Sequence, residues 1–390
     1  MQENADGFIV PVKNLDACTQ CGLCEKVCPV EHPQYRNDEQ ADVYAAYDPK
    51  ERKKSSSGGV FYTIARYVIE QGGVVFGAAY DERLHVHHTV ATTLEALERL
   101  RGSKYVQSHI GSTYREAQDY LRQGKLVYFT GVPCQIAGLK AFLRKDYDHL
   151  ITSDLVCHGV PSRRLFDQHL RYLEQKHHAR VTDYSFRDTK HWVTREKAWF
   201  DNHTTHTVYD GNQSPYLYAF GLRSLDRDSC FDCRFARLPR QGDITLADYW
   251  GVGRAHPEMN SLGAVSLVLV NSAVGRALWE RLRSRLVCKP STLDDAVRNN
   301  PNLVRTSEQP ADRSVLLEAL RTKPYDEVAE SLLVCPPSMQ AKGLDTKMKL
   351  RESGLYLPVD YGMMFAKRTM ATLHIHKIIY KWYENFRKRR

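Results

Sequence analysis

Long hydrophobic runs are missing from this chain. No uncharged apolar stretch among its 390 residues could span a bilayer, and no secretory hydrophobic region stands at the front. Internal repeats and low-complexity tracts are absent too. The net charge of +9 is modestly basic, but no nucleic-acid recognition motif accompanies it, so no nucleic acid is expected as partner. With neither span nor signal, the expected location is a reducing cytoplasmic compartment. Cysteines there usually do metal or redox work, and disulfides are rare. The rest of the composition is that of a globular protein, 42% hydrophobic and 26% charged. The length allows two or three domains and a sizeable core.

Ten cysteines are present, and four of them are sharply spaced. Cys18, Cys21, Cys24 and Cys28 form C-x2-C-x2-C-x3-C, followed by Pro29. That is the ferredoxin run for a [4Fe–4S] cluster. A cubane needs thiolates from several directions, and a tightly wound loop supplies them. Gly22 lets the backbone curl close, and Pro29 turns the chain away. Structural zinc usually takes two cysteine pairs separated by a long spacer, which a third cysteine so soon after the second argues against. Cys288 and Cys335 stand alone and read as buried thiols.

Along the chain, Asp6–Pro11 reads as an extended approach to the cluster loop. Residues 31–54 are polar and rich in turn residues, and read as a linker or surface wrap. Ser57, Gly58 and Gly59 then open a helical pattern running from Val60. Small residues at a helix start can present backbone N–H groups to a phosphate; a plain serine cap with a glycine pair reads equally well. A buried strand follows at Val74–Tyr80. His85, His87 and His88 lack acidic or cysteine partners nearby, and read as a solvated strand face. Gly102, Ser103, Lys104 and Tyr105 bring a cation, a ring and a hydroxyl into one loop, which would suit a flavin and its phosphates. The same loop could be an ordinary helix terminus.

A strand over Lys125–Phe129 feeds Gly131-Val132-Pro133-Cys134, with a helix at once behind. A second strand, His149–Val156, ends in Cys157 and again meets a helix. Both thiols therefore fall on the edge where open α/β sheets hold ligands. Cys230 and Cys233 form a CxxC, ambiguous alone between zinc, redox dithiol and cluster. With Cys134 and Cys157 it makes a second set of four thiolates. Asp243 and Asp248 lie on the strand that follows. Residues 180–225 alternate like strands, without a sharp motif. Ala264–Asn271 is a buried strand with a helix after it, and a mixed, mainly helical segment runs to about residue 345.

In this order, Ser57–Val60, Gly102–Tyr105, Gly131–Gln135, Cys157–Pro161, Cys230–Cys233, Asp243–Leu246 and Asp248–Gly251 resemble the family of coenzyme F420 hydrogenase/dehydrogenase beta subunits. The resemblance covers about residues 6–325. That family also takes in 7-hydroxymethyl chlorophyll a reductase, which draws on ferredoxin, and bacterial members found near polysaccharide genes. The resemblance implies FAD in an α/β core and a [4Fe–4S] cluster on Cys134, Cys157, Cys230 and Cys233. Ser57, Gly58, Gly59, Ser103, Lys104 and Tyr105 look like the family's flavin contacts, with Gly131 and Pro133 beside them. Bacterial members commonly carry two ferredoxin motifs before the core, and this chain shows one. In two-cluster ferredoxins the fourth cysteine of each run serves the other cluster. Either Cys28 closes a single cluster here, or the sequence begins downstream of a fuller chain, or the first cluster is defective.

The expected architecture is a mixed sheet with flanking helices, preceded by a ferredoxin-like segment (1–50) and followed by a basic tail (346–390). The FAD and inner-cluster core covers 51–255, and 256–345 completes it. The tail repeats Ile375, Ile379, Trp382 and Phe386 at helical spacing among cations. It reads as a helix packed on its own domain, a helix docking an acidic partner, or a membrane-surface helix at the inner face. The expected function is an iron–sulfur flavoprotein oxidoreductase with two clusters. Electrons from ferredoxin or another one-electron donor would reach FAD, and then a small acceptor such as a deazaflavin or a biosynthetic intermediate. Lys104 is the first catalytic candidate, with Asp243 and Asp248 as polar candidates. The alternative is a non-catalytic electron-transfer subunit of a larger complex, tied to polysaccharide biosynthesis.

Overall fold

The computed structural model describes residues 1–189, 193–208, 210–259 and 263–336, together with 365, 366 and 369. Apart from those last three, the basic tail lies outside the described residues.

The strands in chain order are β1 (Gln2–Glu3), β2 (Ile9–Val10), β3 (Asp42–Tyr47), β4 (Val74–Tyr80), β5 (Val86–Ala91), β6 (Val127–Gly131) and β7 (Leu150–Leu155). After them come β8 (Val181–Asp188), β9 (Val193–Phe200), β10 (Thr205–Val208), β11 (Ile244–Asp248), β12 (Ser266–Val270) and β13 (Val287–Ser291). An eight-stranded mixed sheet runs in the order β13-β3-β12-β11-β7-β6-β4-β5. Its centre, β11-β7-β6-β4, is parallel. Antiparallel strands flank that centre on both sides. Central parallel strands are covered on both faces and so read as continuous apolar runs; Val127, Tyr128 and Phe129 are all buried. The helices Val60–Glu70, Thr113–Arg122, Pro133–Leu143 and Ala273–Leu282 supply much of that cover.

Two strands escape the sequence reading. The polar stretch read as a linker contains β3, which lies inside the sheet, with Ala46 opposite Ser266 on one side and Cys288 on the other. Val43, Ala45 and Ala46 are its buried residues. β13 sits at the sheet's edge, where Pro290 withholds no needed donor.

A second, smaller sheet runs β10-β9-β8. The helices Arg163–His177, Pro215–Gly221 and Tyr325–Ser331 pack on it around Phe166, Tyr184, Phe186, Phe200 and Tyr216. The N-terminal strands are tied down as well. The Gln107 side chain bonds Ile9 N and O at 2.9 and 3.0 Å, Arg164 donates to Ala5 O at 2.7 Å, and Phe8 is buried. Among the described residues no helix is long and apolar enough to cross a membrane.

Candidate functional site

The parallel strands β6, β7 and β11 end on one edge of the sheet, and the chemistry-bearing residues follow them. Cys134 is the second residue of the helix Pro133–Leu143. Gln135 Oε1 accepts from Val132 N at 3.1 Å and closes the helix start. Cys157 lies two residues past β7, and Cys230 belongs to the short helix Asp228–Phe231. These separate stretches bring four thiols into one group. Cys134 feels the charges of Cys157 and Cys233, and Cys230 those of Cys157 and Cys134.

Electrostatics decides what this group can be. A helix N-terminus favours a thiolate. Here the protein packed around Cys134 and the neighbouring thiols of Cys157 and Cys233 push its thiol up, although the residue keeps an exposed face. Burial likewise pushes Cys157 up to about 11, with Cys233 and Asp226 adding to it. Cys230 is raised for the same reasons. Left alone, Cys134, Cys157 and Cys230 stay protonated at neutral pH. A bound cationic centre is what would deprotonate them together. None of the ten cysteines is in a disulfide. Among the described residues no three of His, Cys, Asp and Glu converge as ligands of a single metal ion. A cubane takes its thiolates at four outer corners, and so accepts a wider set.

The surroundings of this group were not legible in the sequence. Asp226 is fully buried with both carboxylate oxygens lacking a hydrogen-bond partner. Burial raises it to about 7 despite Arg223 and Arg313 nearby. Gly159 makes room for it: a Cβ there would stand 2.0 Å from Asp226 Oδ2. Arg240, also buried, donates to Leu155 O at 2.9 Å and faces Asp154 at 3.4 Å.

The N-terminal run winds as its spacing requires. Gln20 and Gly22 both take left-handed conformations, and the short helix Leu23–Lys26 follows. Cys28 N donates to Glu25 O at 3.0 Å. The Leu23 N–H and the Thr19 side chain pull the Cys21 thiol below its ordinary value. The segment behind it docks on the core. Tyr35 Oη donates to Arg234 O at 2.7 Å, and Asn37 Nδ2 to the carbonyls of Arg240 and Gly242 at 2.8 Å each.

The loops proposed for a flavin converge. Ser103 N donates to Ser56 Oγ at 2.9 Å. Arg187, from β8, joins them to the end of β11: its guanidinium reaches Ser56 O at 3.1 Å, Tyr105 Oη at 3.4 Å and the Asp248 carboxylate at 3.0 Å. Its Nε is buried without a partner. Nothing in the local sequence marked this arginine. Tyr105 stacks on Phe220, with ring centroids 4.5 Å apart. Ser57 Oγ accepts from Ser266 Oγ at 3.1 Å. Gly58 serves packing, since a Cβ there would stand 2.5 Å from Ala46 O and 2.6 Å from Ser266 N. Gly131 and Pro133 frame the start of the Cys134 helix.

The catalytic candidates separate. Lys104 Nζ donates to the carbonyls of Arg99, Arg101 and Gly102 at 3.2, 2.6 and 3.3 Å. Burial brings it down to about 7, opposed by Asp183. Asp243 is occupied structurally. One oxygen accepts from Thr152 N and Oγ1 at 2.8 and 2.6 Å, the other from Ser272 Oγ at 2.6 Å. Asp248 faces Arg187 at the loops' meeting point. Of the histidines, His88 turns inward and corrects the solvated-face reading. It bonds Ser108 Oγ and Thr130 O at 2.7 and 2.9 Å, and burial lowers it to about 4.

Comparison with known proteins follows these segments. The model for the coenzyme F420 hydrogenase/dehydrogenase beta subunit N-terminus matches residues 43–114, and that for its C terminus matches residues 124–296. The chain belongs to the family of coenzyme F420 hydrogenase/dehydrogenase beta subunits. A 4Fe-4S binding domain model matches residues 11–31, across all four cysteines of the N-terminal run. The family's N-terminal region thus holds the Ser57 and Lys104 loops, and its C-terminal region holds Cys134, Cys157, Cys230 and Cys233. This is an oxidoreductase family, and with the 4Fe-4S domain the chain is an iron–sulfur electron-transfer protein. One subunit of the F(420)H(2) dehydrogenase of Methanosarcina mazei is 29% identical over 123 residues, 30% of this chain and 34% of that protein. The match thus spans about a third of that relative's length. A chain in a xenon-derivatized structure of the F420-reducing [NiFe] hydrogenase complex from Methanosarcina barkeri is 17% identical. It aligns over 74% of this chain and 91% of its own length, with a TM-score of 0.46.

Proposed function

We propose that this chain is a flavin-bearing iron–sulfur oxidoreductase holding two [4Fe–4S] clusters. Cys18, Cys21, Cys24 and Cys28 would hold the outer one, and Cys134, Cys157, Cys230 and Cys233 the inner one. The observation that carries this reading is the second thiol group, assembled from three distant stretches at the sheet edge.

FAD fits the loops beside it. Arg187 offers a buried, unpartnered Nε there, and the Lys104 ammonium is held by three carbonyls in the adjoining loop. Bound FAD would supply hydride transfer to an organic acceptor. Ser56, Ser57, Ser103, Tyr105 and Arg187 would bind and orient it. Lys104, lowered to about 7 by burial, can hold or release a proton near neutral pH. Asp248 keeps the Arg187 fork in place. Asp243 is assigned to the scaffold. The acceptor would be a small organic molecule such as a deazaflavin or a biosynthetic intermediate. The name of one relative, a dehydrogenase subunit, favours a second reading, in which the chain works as one subunit of a larger assembly.

Anaerobic purification with iron, zinc and flavin counts tests the proposal. About eight iron atoms and one FAD per chain are expected for two clusters. Tightly held zinc with no flavin overturns it.

A further inference from the structure

A cavity of about 460 Å³ opens between the outer cysteine loop and the helix Pro133–Leu143. One wall carries Lys26 and His32. The other carries Ala137, Lys140, Ala141 and Arg144, one face at helical spacing. Arg36 and Arg240 also line it, and among the described residues no Asp or Glu does. Several of these cations have protein partners. Lys140 donates to Gln241 O at 2.6 Å, Arg36 faces Asp146 at 3.5 Å, and Arg240 is buried against Asp154. Lys26 and Arg144 stand exposed on opposite walls. Apolar surface is exposed along the same loop, at Val12, Leu15, Leu23 and Val30.

We infer that this groove is the docking surface for an acidic one-electron carrier protein. Resting on the proposed function, the inference adds where the donor sits and what recognises it. Lys26 lies between Cys24 and Cys28, and Ala137 follows Cys134 by one helical turn, so the two walls are those that carry the outer loop and the first inner thiol. A carboxylate-rich partner seated here is therefore beside the point of electron delivery. A cleft of one charge sign focuses the field and raises encounter rates by roughly 10- to 1,000-fold. The exposed apolar side chains give the contact a core that charge alone lacks.

The test is stopped-flow reduction of the anaerobic full chain by a reduced acidic ferredoxin, followed by bleaching of its visible absorption. K26E/R144E is compared with R122E, which makes the same kind of charge reversal outside the groove. At low salt K26E/R144E is expected to react at least about tenfold more slowly than wild type. The difference should close near about 0.5 M salt, where screening acts within a few ångström. R122E should match wild type. Dithionite should bleach all forms equally. Equal ferredoxin rates in K26E/R144E and wild type, with normal bleaching by dithionite, overturn the docking surface alone. A chain that dithionite cannot bleach overturns the proposed function and this inference with it. Submillimolar inorganic phosphate binding that K26E/R144E abolishes, with the ferredoxin rate unchanged, assigns the groove to small anions and also overturns the inference.

Discussion

The Arg187 guanidinium stands 3.0 Å from the Asp248 carboxylate. That pair joins the small antiparallel sheet to the end of β11, and the same fork reaches Ser56 O and Tyr105 Oη. Both partners are largely buried, so removing one leaves the other short of a charge partner. R187A is expected to cost about 3 kcal/mol of stability and to release flavin on gel filtration. R187K keeps a charge but not the planar fork. It should recover part of the stability and little of the flavin retention. Thermal denaturation and the flavin-to-protein absorbance ratio read the two effects separately.

The two thiol groups are expected to lose iron independently. C157S or C233S should lower the count by about four iron atoms and leave the outer cluster's signal. C28S is the sharper variant. If Cys28 closes a cluster within this chain, C28S also loses about four. C288S and C335S should lose none. Iron assay with low-temperature electron paramagnetic resonance separates the outcomes.

Gly58 read as one of a glycine pair that could bring backbone N–H groups to a phosphate, but its neighbours are protein. The Cβ added by G58A would stand 2.5 Å from Ala46 O, a backbone atom that cannot swing aside. Overpacking of this kind costs about 2–3 kcal/mol. The urea midpoint should fall, and it should fall equally in protein stripped of cofactors.

Glu196 is the centre of the small sheet's packing. Its carboxylate accepts from His169 Nε2 at 2.6 Å, Tyr184 Oη at 2.7 Å, Ser214 Oγ at 2.5 Å and His206 Nε2 at 3.1 Å. Burial alone would raise its pKa; the charge and hydrogen bond of His169, with bonds from His206 and Ser214, overcome that and hold it well below the usual carboxylate range. A carboxylate lowered on folding contributes stability above its unfolded value, about 4.3. That stability drains away as pH falls towards the lower folded value. Wild type should therefore lose melting temperature on acidification below about pH 4.5 more steeply than E196Q. At neutral pH, E196Q should already be the less stable of the two. Melting curves at a series of pH values measure both.

How much of this was legible beforehand depended on where the information lay. The N-terminal cysteine run carries its chemistry in local spacing, and β4, β6, β7 and β12 carry theirs in apolar runs. Both were readable. β3 has charged, turn-rich flanks, and only Val43, Ala45 and Ala46 betray it. β13 contains a proline and pairs on one side only. Arg187 could not be found at all, because its partners lie 82 and 131 positions away. Asp243 shows the complementary case: an acid at a strand beside a motif reads as a site residue, and the fold adds that its oxygens accept from Thr152 and Ser272. Local chemistry is written in the sequence, whereas long-range pairing is created by the fold.

Lys104 links the site's electrostatics to a measurable slope. Burial brings it from its ordinary value down to about 7, and Asp183 opposes that; its ammonium also lies 5.7 Å over the Tyr80 ring. Between about pH 7 and 10 the unfolded chain holds this proton while the folded chain has released it. Stability from this group therefore rises with pH across that range, by at most about 1.4 kcal/mol per pH unit. K104M has no proton to release, so its stability should climb less from about pH 7 to about pH 9 than that of wild type. If Lys104 also holds a proton used in turnover, the rate with any working acceptor should show an apparent pKa near about 7 that K104M abolishes. A stability slope that disappears while the rate profile stays unchanged would leave Lys104 as a buried tether of the Arg99–Gly102 carbonyls and no more.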